Sequence, residues 1–426
     1  MLRPKVLFIL IGFALEVLIS TVNPHAHSAE PEKENPPIVS LSNLIEKALE
    51  SNPEIMAMKQ GFEATRSQID QDRSLDDPQL TITQWAIPSD FNVGDADETW
   101  YGIGQSFPFP GKLSLKGKIA AKLADAAEQN YMAKVLEVTA RIKLSYYHLF
   151  LIQKSIDLHL EHQSLLEEFI QIADQKYSVG QASQQDLLKA QVELSKLHNS
   201  LLVLKQEEVS AKAELNAMLN QPPETMLGRV EDVEYRSFSL TTEELTRQAL
   251  ELRPELKAVQ FLIEKSEQAR SLAKKNYFPD FMVEVMYWDV HTGPDKWMAV
   301  GKVNLPWIFK GKYDARVSQA VAEEAQARAD QTALRNQTLF ELRDLFTKIK
   351  TAEQLIEVYQ KGVLPQAEQS LKAARIGYQA GKVGFLDLID SERTLLDFQL
   401  EYFEALVRFW QSVAKLERTV GNELNI

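Results

Sequence analysis

Tyr177-Ser178-Val179-Gly180, with Asp186-Leu187-Leu188 beyond it, recurs as Tyr378-Gln379-Ala380-Gly381, with Asp387-Leu388-Ile389 beyond it. The two stretches lie 201 residues apart. Other positions keep that interval. Asn52-Pro53-Glu54-Ile55 returns as Arg253-Pro254-Glu255-Leu256, Pro78 returns as Pro279, and Leu215 returns as Leu416. A repeat of this length constrains the whole fold, since each copy is built alike. Each copy reads as long helix, β-hairpin, very long helix, tight turn and long helix. At the turns, Gly180 and Gly381 supply the positive φ that a tight helix-to-helix connection demands.

Working outward from the turns, residues 118–179 contain neither Gly nor Pro. At 1.5 Å per residue a continuous helix there extends roughly 90 Å. Its apolar residues, among them Leu144, Leu149, Leu151, Ile156, Leu158 and Leu165, spread wider than a coiled-coil seam and can serve several neighbours. The second copy runs from Lys312 to Lys361 before Gly362 and Pro365 are expected to interrupt it. Residues 186–220 and 387–420 run back, so each copy makes a helical hairpin. The shorter helices start near Ser42, with a break at Asn52-Pro53, and at Thr241-Thr242-Glu243-Glu244.

Between the short and long helices lie two hairpins. Phe281-Met282-Val283-Glu284-Val285-Met286-Tyr287 alternates with period two, so Val283 and Val285 share one face and Glu284 takes the other, facing water. Leu80-Thr81-Ile82-Thr83 begins the matching strand. The return strands span 100–107 and 297–305, and Pro88, Gly94, Gly293 and Pro294 supply turn chemistry. Trp85, Trp100, Trp288, Trp297 and Trp307 crowd these hairpins, as do Tyr101, Phe107, Phe109, Phe278 and Tyr287. Aromatic crowding at strand ends is what a membrane barrel uses at its interfaces.

The domain reading is therefore a signal peptide at 1–28, repeat one at 29–220 (hairpin about 78–109, helical hairpin 111–220), a linker at 221–240, and repeat two at 241–426 (hairpin about 279–309, helical hairpin 311–420). Arg3 and Lys5 precede an apolar run from Val6 to Leu15, and Ala26-His27-Ser28 offers cleavage after Ser28 or Ala29. Residues 29–39 read as a flexible, Pro-rich lead-in. No later run of eighteen apolar residues exists, so a chain that spans a membrane must do so with β-strands. The net charge of −13 disfavours nucleic acid. With no cysteine in 426 residues, disulfides, thiolate metal sites and a lipidated mature N-terminal Cys are excluded.

Four strands per chain cannot close a barrel, and membrane barrels need at least eight. Two chains leave too tight a bore, whereas three give twelve strands and a helical cylinder of like symmetry. The expected fold is mainly α with a membrane β-barrel: a trimeric twelve-stranded barrel continuing into a long α-helical barrel. The competing reading is a periplasmic coiled-coil scaffold without a pore. No Ser-nucleophile, zinc-protease, P-loop or dinucleotide motif occurs in a suitable context, so no enzyme and no cofactor is expected.

The two Tyr-x-x-Gly…Asp-Leu turns, together with Ser106-Phe107-Pro108-Phe109-Pro110-Gly111-Lys112 and its match Leu305-Pro306-Trp307 with Gly311-Lys312, resemble the TolC family of outer-membrane efflux channels over nearly the whole mature length. The resemblance implies an outer-membrane homotrimer with a periplasmic helical tunnel. It also implies docking to a periplasmic adaptor and an inner-membrane pump. The absence of a lipobox departs from the family's lipoprotein branch. In similar channels acidic residues matching Asp387 and Asp390 ring the closed periplasmic entrance. Those two lie one helical turn apart, while copy one has Asp186 but Lys189. Tyr177, Gly180, Asp186, Tyr378, Gly381 and Lys382 mark the tips where similar channels meet adaptors. The two tyrosines are expected to pack across the tip, and Lys382 to pair with a gate carboxylate. His159 and His162 are read as solvated helix-face residues rather than a metal pair. Met282 and Met286 are read as gap fillers on the lumen face.

Overall fold

The computed structural model describes residues 38–424, apart from Pro88, Asp90, Gly94, Asp95 and Thr292. The expected signal peptide, the lead-in up to residue 37, and Pro88 and Gly94 of the first hairpin loop lie outside the described residues.

Strand β1 (Ile38–Val39) leads into α1 (Leu41–Ser51). The N-cap is Ser40, not Ser42; its side chain accepts from the Asn43 amide at 3.4 Å. Asn52 then caps α2 (Pro53–Arg73), accepting from the amides of Glu54 and Ile55, with Pro53 preset for the first turn. Strands β2 (Gln79–Trp85) and β3 (Glu98–Phe107) form the first hairpin. Next come α3 (Lys112–Ser178), a single helix of 67 residues, and α4 (Gln184–Met218). The connection to copy two is irregular except for β4 (Arg229–Val230), which pairs in parallel with β1. Copy two follows as α5 (Thr242–Leu252), α6 (Pro254–Lys275), β5 (Phe281–Val290) and β6 (Lys296–Val303). Its long helix is α7 (Lys310–Val358), a π-helical turn at Tyr359–Val363, and α8 (Leu364–Gln379); α9 (Phe385–Val420) returns. Gly362 and Pro365 therefore do not end this helix. The wider π turn carries it past the position where proline lacks an N–H.

The four longer strands make one antiparallel sheet in the order β2-β3-β5-β6. One face exposes Leu80, Ile82, Tyr101, Ile103, Val283, Val285 and Trp297. The other carries Trp100, Met282, Glu284 and Met286. As expected, Glu284 lies opposite the valines, but it does not face water. It is 2% exposed, seated beside Gly102 and Gly104 and held by Lys302 Nζ at 2.9 Å. Three of the tryptophans read as an interfacial belt also leave the apolar face. Trp85, Trp100 and Trp288 stack in one ladder, with ring centroids 6.0 and 4.6 Å apart.

Two clusters of buried side chains hold the helices. The larger brings α1, α5 and the long helices together around Phe150, Leu215, Ile349, Phe409 and Leu416. The smaller lies nearer the turns around Leu166, Phe169, Leu371 and Leu388. Helix α3 touches α2, α4, α6 and α9 at once, which explains its wide spread of apolar residues. Among the described residues, no helix is long and apolar enough to cross a membrane.

Candidate functional site

Both tips turn through a left-handed glycine, Gly180 at φ +73° and Gly381 at φ +72°. A methyl group added at either meets nothing within 4 Å, so backbone conformation alone calls for glycine there. At tip one, the Gln181 amide donates to Lys176 O at 2.7 Å; at tip two, the Lys382 amide donates to Gly377 O at 2.8 Å. These bonds close the exposed carbonyl ends of the helices.

The second helix of each tip is anchored by an acid at its third position. Asp186 pairs reciprocally with Ser183, and Asp387 accepts from the Gly384 amide at 3.2 Å. Asp387 and Asp390 are both exposed on α9, one turn apart. Asp186 is half-buried and lies close enough to Tyr378 to act on it. Burial pushes the Tyr378 hydroxyl up from its usual range, and the Asp186 carboxylate adds to that shift.

The two tip tyrosines differ. Tyr378 is buried against Phe385, ring centroids 5.3 Å apart, and under Lys176 Nζ at 4.9 Å, whereas Tyr177 is exposed. The expected packing of both therefore holds for Tyr378 alone, because copy two's tip lies inside the smaller core and copy one's does not. Lys382 is exposed and forms no ion pair among the described residues. The cation that reaches Tyr378 is Lys176, through the Tyr378 carbonyl.

Above the tips, α3 and α9 meet through a polar contact between the two copies. His162 is 1% exposed. Its Nδ1 lies 2.7 Å from Glu392 Oε1 and its Nε2 lies 2.8 Å from Gln399 Oε1. With both ring nitrogens facing oxygen, the charged imidazolium fits best. Burial pulls the His162 pKa down, but the bonds to Glu392 and Gln399 and the charges of Glu392 and Glu161 outweigh it, and the net shift is upward. His159, with Nδ1 2.7 Å from the Ser155 carbonyl, is also buried. The reading of both histidines as solvated is thus corrected. Among the described residues no cluster suits a metal ion.

Near the tips, two ion pairs also join the copies: Arg393 to Glu193 at 2.8 Å, and Arg375 to Glu168. Burial pushes Glu193 up, but Lys196 and Arg393 hold it below the usual carboxylate range. Sequence spacing could not reveal these contacts, because the partners lie half a chain apart.

The model for the family described as outer membrane efflux protein matches residues 44–221 and again residues 245–422. The cobalt-zinc-cadmium resistance protein CzcC of Cupriavidus metallidurans is 23% identical over 318 residues, covering 72% of this chain and 75% of CzcC. Among solved structures, the outer membrane protein VceC of Vibrio cholerae superposes with a TM-score of 0.76 at 20% identity, covering 90% of this chain and 96% of VceC. The CmeC outer membrane channel of Campylobacter jejuni superposes with a TM-score of 0.76 at 15% identity, covering 95% and 94%. With both halves matched, the chain belongs to the outer membrane efflux protein family, and it is an outer-membrane efflux channel rather than a pore-less scaffold.

Proposed function

We propose that three copies of this chain form one conduit, a twelve-stranded barrel in the outer membrane continued by a helical tunnel. The observation that carries this reading is the sheet: four strands, an exposed apolar face, and two edges, β2 and β6, left without a strand partner among the described residues. An open apolar sheet is unstable in water and in lipid alike unless its edges close. At 1.5 Å per residue the 67 residues of α3 span about 100 Å, long enough to reach far into the periplasm. The tips then meet a periplasmic adaptor and an inner-membrane pump, with Tyr177, Gly180, Asp186, Gly381 and Lys382 at the contact and buried Tyr378 holding the second tip in shape. Asp387 and Asp390 form two stacked rings of carboxylates at the resting entrance. The role of CzcC makes divalent metal cations the first cargo to examine.

Single-channel recording in planar bilayers tests this reading. Purified protein is expected to give discrete conductance steps, blocked by multivalent cations from the side bearing the helices. Protein that folds in detergent yet never conducts would refute the conduit.

A further inference from the structure

The two copies also differ where strand passes into helix. In copy one, Lys112 is 5% exposed. Its Nζ donates to Phe278 O at 2.9 Å and to Asp280 Oδ1 at 2.8 Å. The same Asp280 oxygen accepts from the Phe109 amide at 2.7 Å, and the Phe109 ring stacks on Phe278. Every one of those partners belongs to copy two. Strand β3 runs on to Phe107 because β5 pairs with it that far.

Copy two's own junction has no such cover. Leu80 pairs with Ile103 and its counterpart Phe281 pairs with Val303, which aligns β6 on β3. By that alignment Phe309 and Lys312 stand where Phe109 and Lys112 do. Phe309 is 73% exposed, Lys312 is exposed, and β6 stops at Val303. Lys310 and Lys312 make no ion pair among the described residues. At the opposite edge of the sheet, exposed Asp76 and Asp77 make none either.

We propose that a second copy of this chain supplies the missing cover, in a register dictated by the internal repeat; the inference rests on the barrel proposed above. In copy one, Ile103 faces Val285 and Gln105 faces Val283. Carried over, β6 pairs antiparallel with β2 of the next copy, Val303 opposite Gln84 and Leu305 opposite Ile82. Strand β6 thereby lengthens by two residues. Leu305 and Ile82 lie on the apolar face, so the pairing extends that face without a break. Beyond the strand, Lys312 reaches the segment Asp77–Gln79 of the next copy, as Lys112 reaches Phe278–Asp280. Gln79 replaces Asp280 there, and the carboxylates of Asp76 and Asp77 provide the negative charge. Two lysines meeting two aspartates orient the copies head to tail, the arrangement that closes a ring.

The chain has no cysteine, so introduced thiols are the only ones present. Facing residues on paired strands bring their Cβ atoms within disulfide reach, while diagonal neighbours do not. Oxidising full-length Ile82→Cys/Leu305→Cys protein in isolated outer membranes is expected to yield a covalent three-chain product. That product should exceed those of Leu80→Cys/Leu305→Cys and Gln84→Cys/Leu305→Cys by about ten-fold. Lys312→Asp is expected to lower the heat resistance of the non-oxidised trimer, and adding Asp77→Lys to restore it. A preferred cross-link at Leu80 or Gln84, or trimers with no product at Ile82, would overturn the register while leaving the trimer in place. A lone chain in native mass measurement, with no product from any pair, would overturn the barrel itself.

Discussion

Asp387 and Asp390 are the residues on which gating is most directly tested. They stand exposed and one turn apart, and Asp387 also holds the start of α9 through the Gly384 amide. Replacing both with Ala is expected to raise the concentration of divalent cation needed for half block by about ten-fold, about 1.4 kcal/mol of lost attraction. Asp186→Ala should do much less, because Lys189 stands where copy two has Asp390. Unchanged block in the double variant would return both acids to a helix-capping role. Gly180→Ala and Gly381→Ala are each expected to cost about 1–2 kcal/mol in thermal melts, from the left-handed φ alone.

His162 offers a second test at this scale. Its pKa is raised in the folded protein, so its pairing stabilises the fold fully below the ordinary histidine range and is lost as pH rises through the folded pKa. The groups facing it are Glu392 and Gln399 from α9 and Glu161 from its own helix. The melting temperature should therefore fall between pH 6 and the alkaline range more steeply in the native protein than in His162→Gln. Equal slopes would rule out a charged His162. Because His162 and Glu392 are both buried, His162→Leu is expected to cost about 3–5 kcal/mol by stranding the Glu392 carboxylate.

Among elements, the strands and long helices were readable because their signals are local. Period-two alternation marked Phe281–Tyr287, and the lack of Gly and Pro marked the long helix. What stayed hidden depends on distant partners or on a single residue of spacing. The β1–β4 pair joins residues far apart in sequence. The tryptophan ladder required knowing which face each ring takes. The π turn has a readable trace in hindsight. Gly111-Lys112 matches Gly311-Lys312, but Tyr177 matches Tyr378 one residue further on, and the turn at Tyr359–Val363 absorbs that extra residue. The face assignment carries its own prediction. Val283→Arg or Val285→Arg is expected to cost about 2–4 kcal/mol of folding stability in lipid if near the midplane, measured by urea titration into bilayers. Equal tolerance of Arg and Leu at both sites would reject the lipid-facing assignment.

At the scale of the molecule, the repeat made both the family and the general layout legible, while the tip contacts between copies were not. Tyr378 is buried and Tyr177 exposed although their motifs match, because only copy two's tip is enclosed by α3 and α9. A duplicated sequence thus yields two unlike tips, one with its tyrosine buried and one with its tyrosine exposed. The same asymmetry recurs at the strand-to-helix junctions, where Lys112 is buried and Phe309 and Lys312 are exposed. The central claim is that these surfaces close on further copies. Mass measurement of the full-length protein, extracted in mild detergent, tests it most directly. The account predicts a species of three chains that requires detergent to stay soluble. A stable single chain, soluble without detergent, would contradict it.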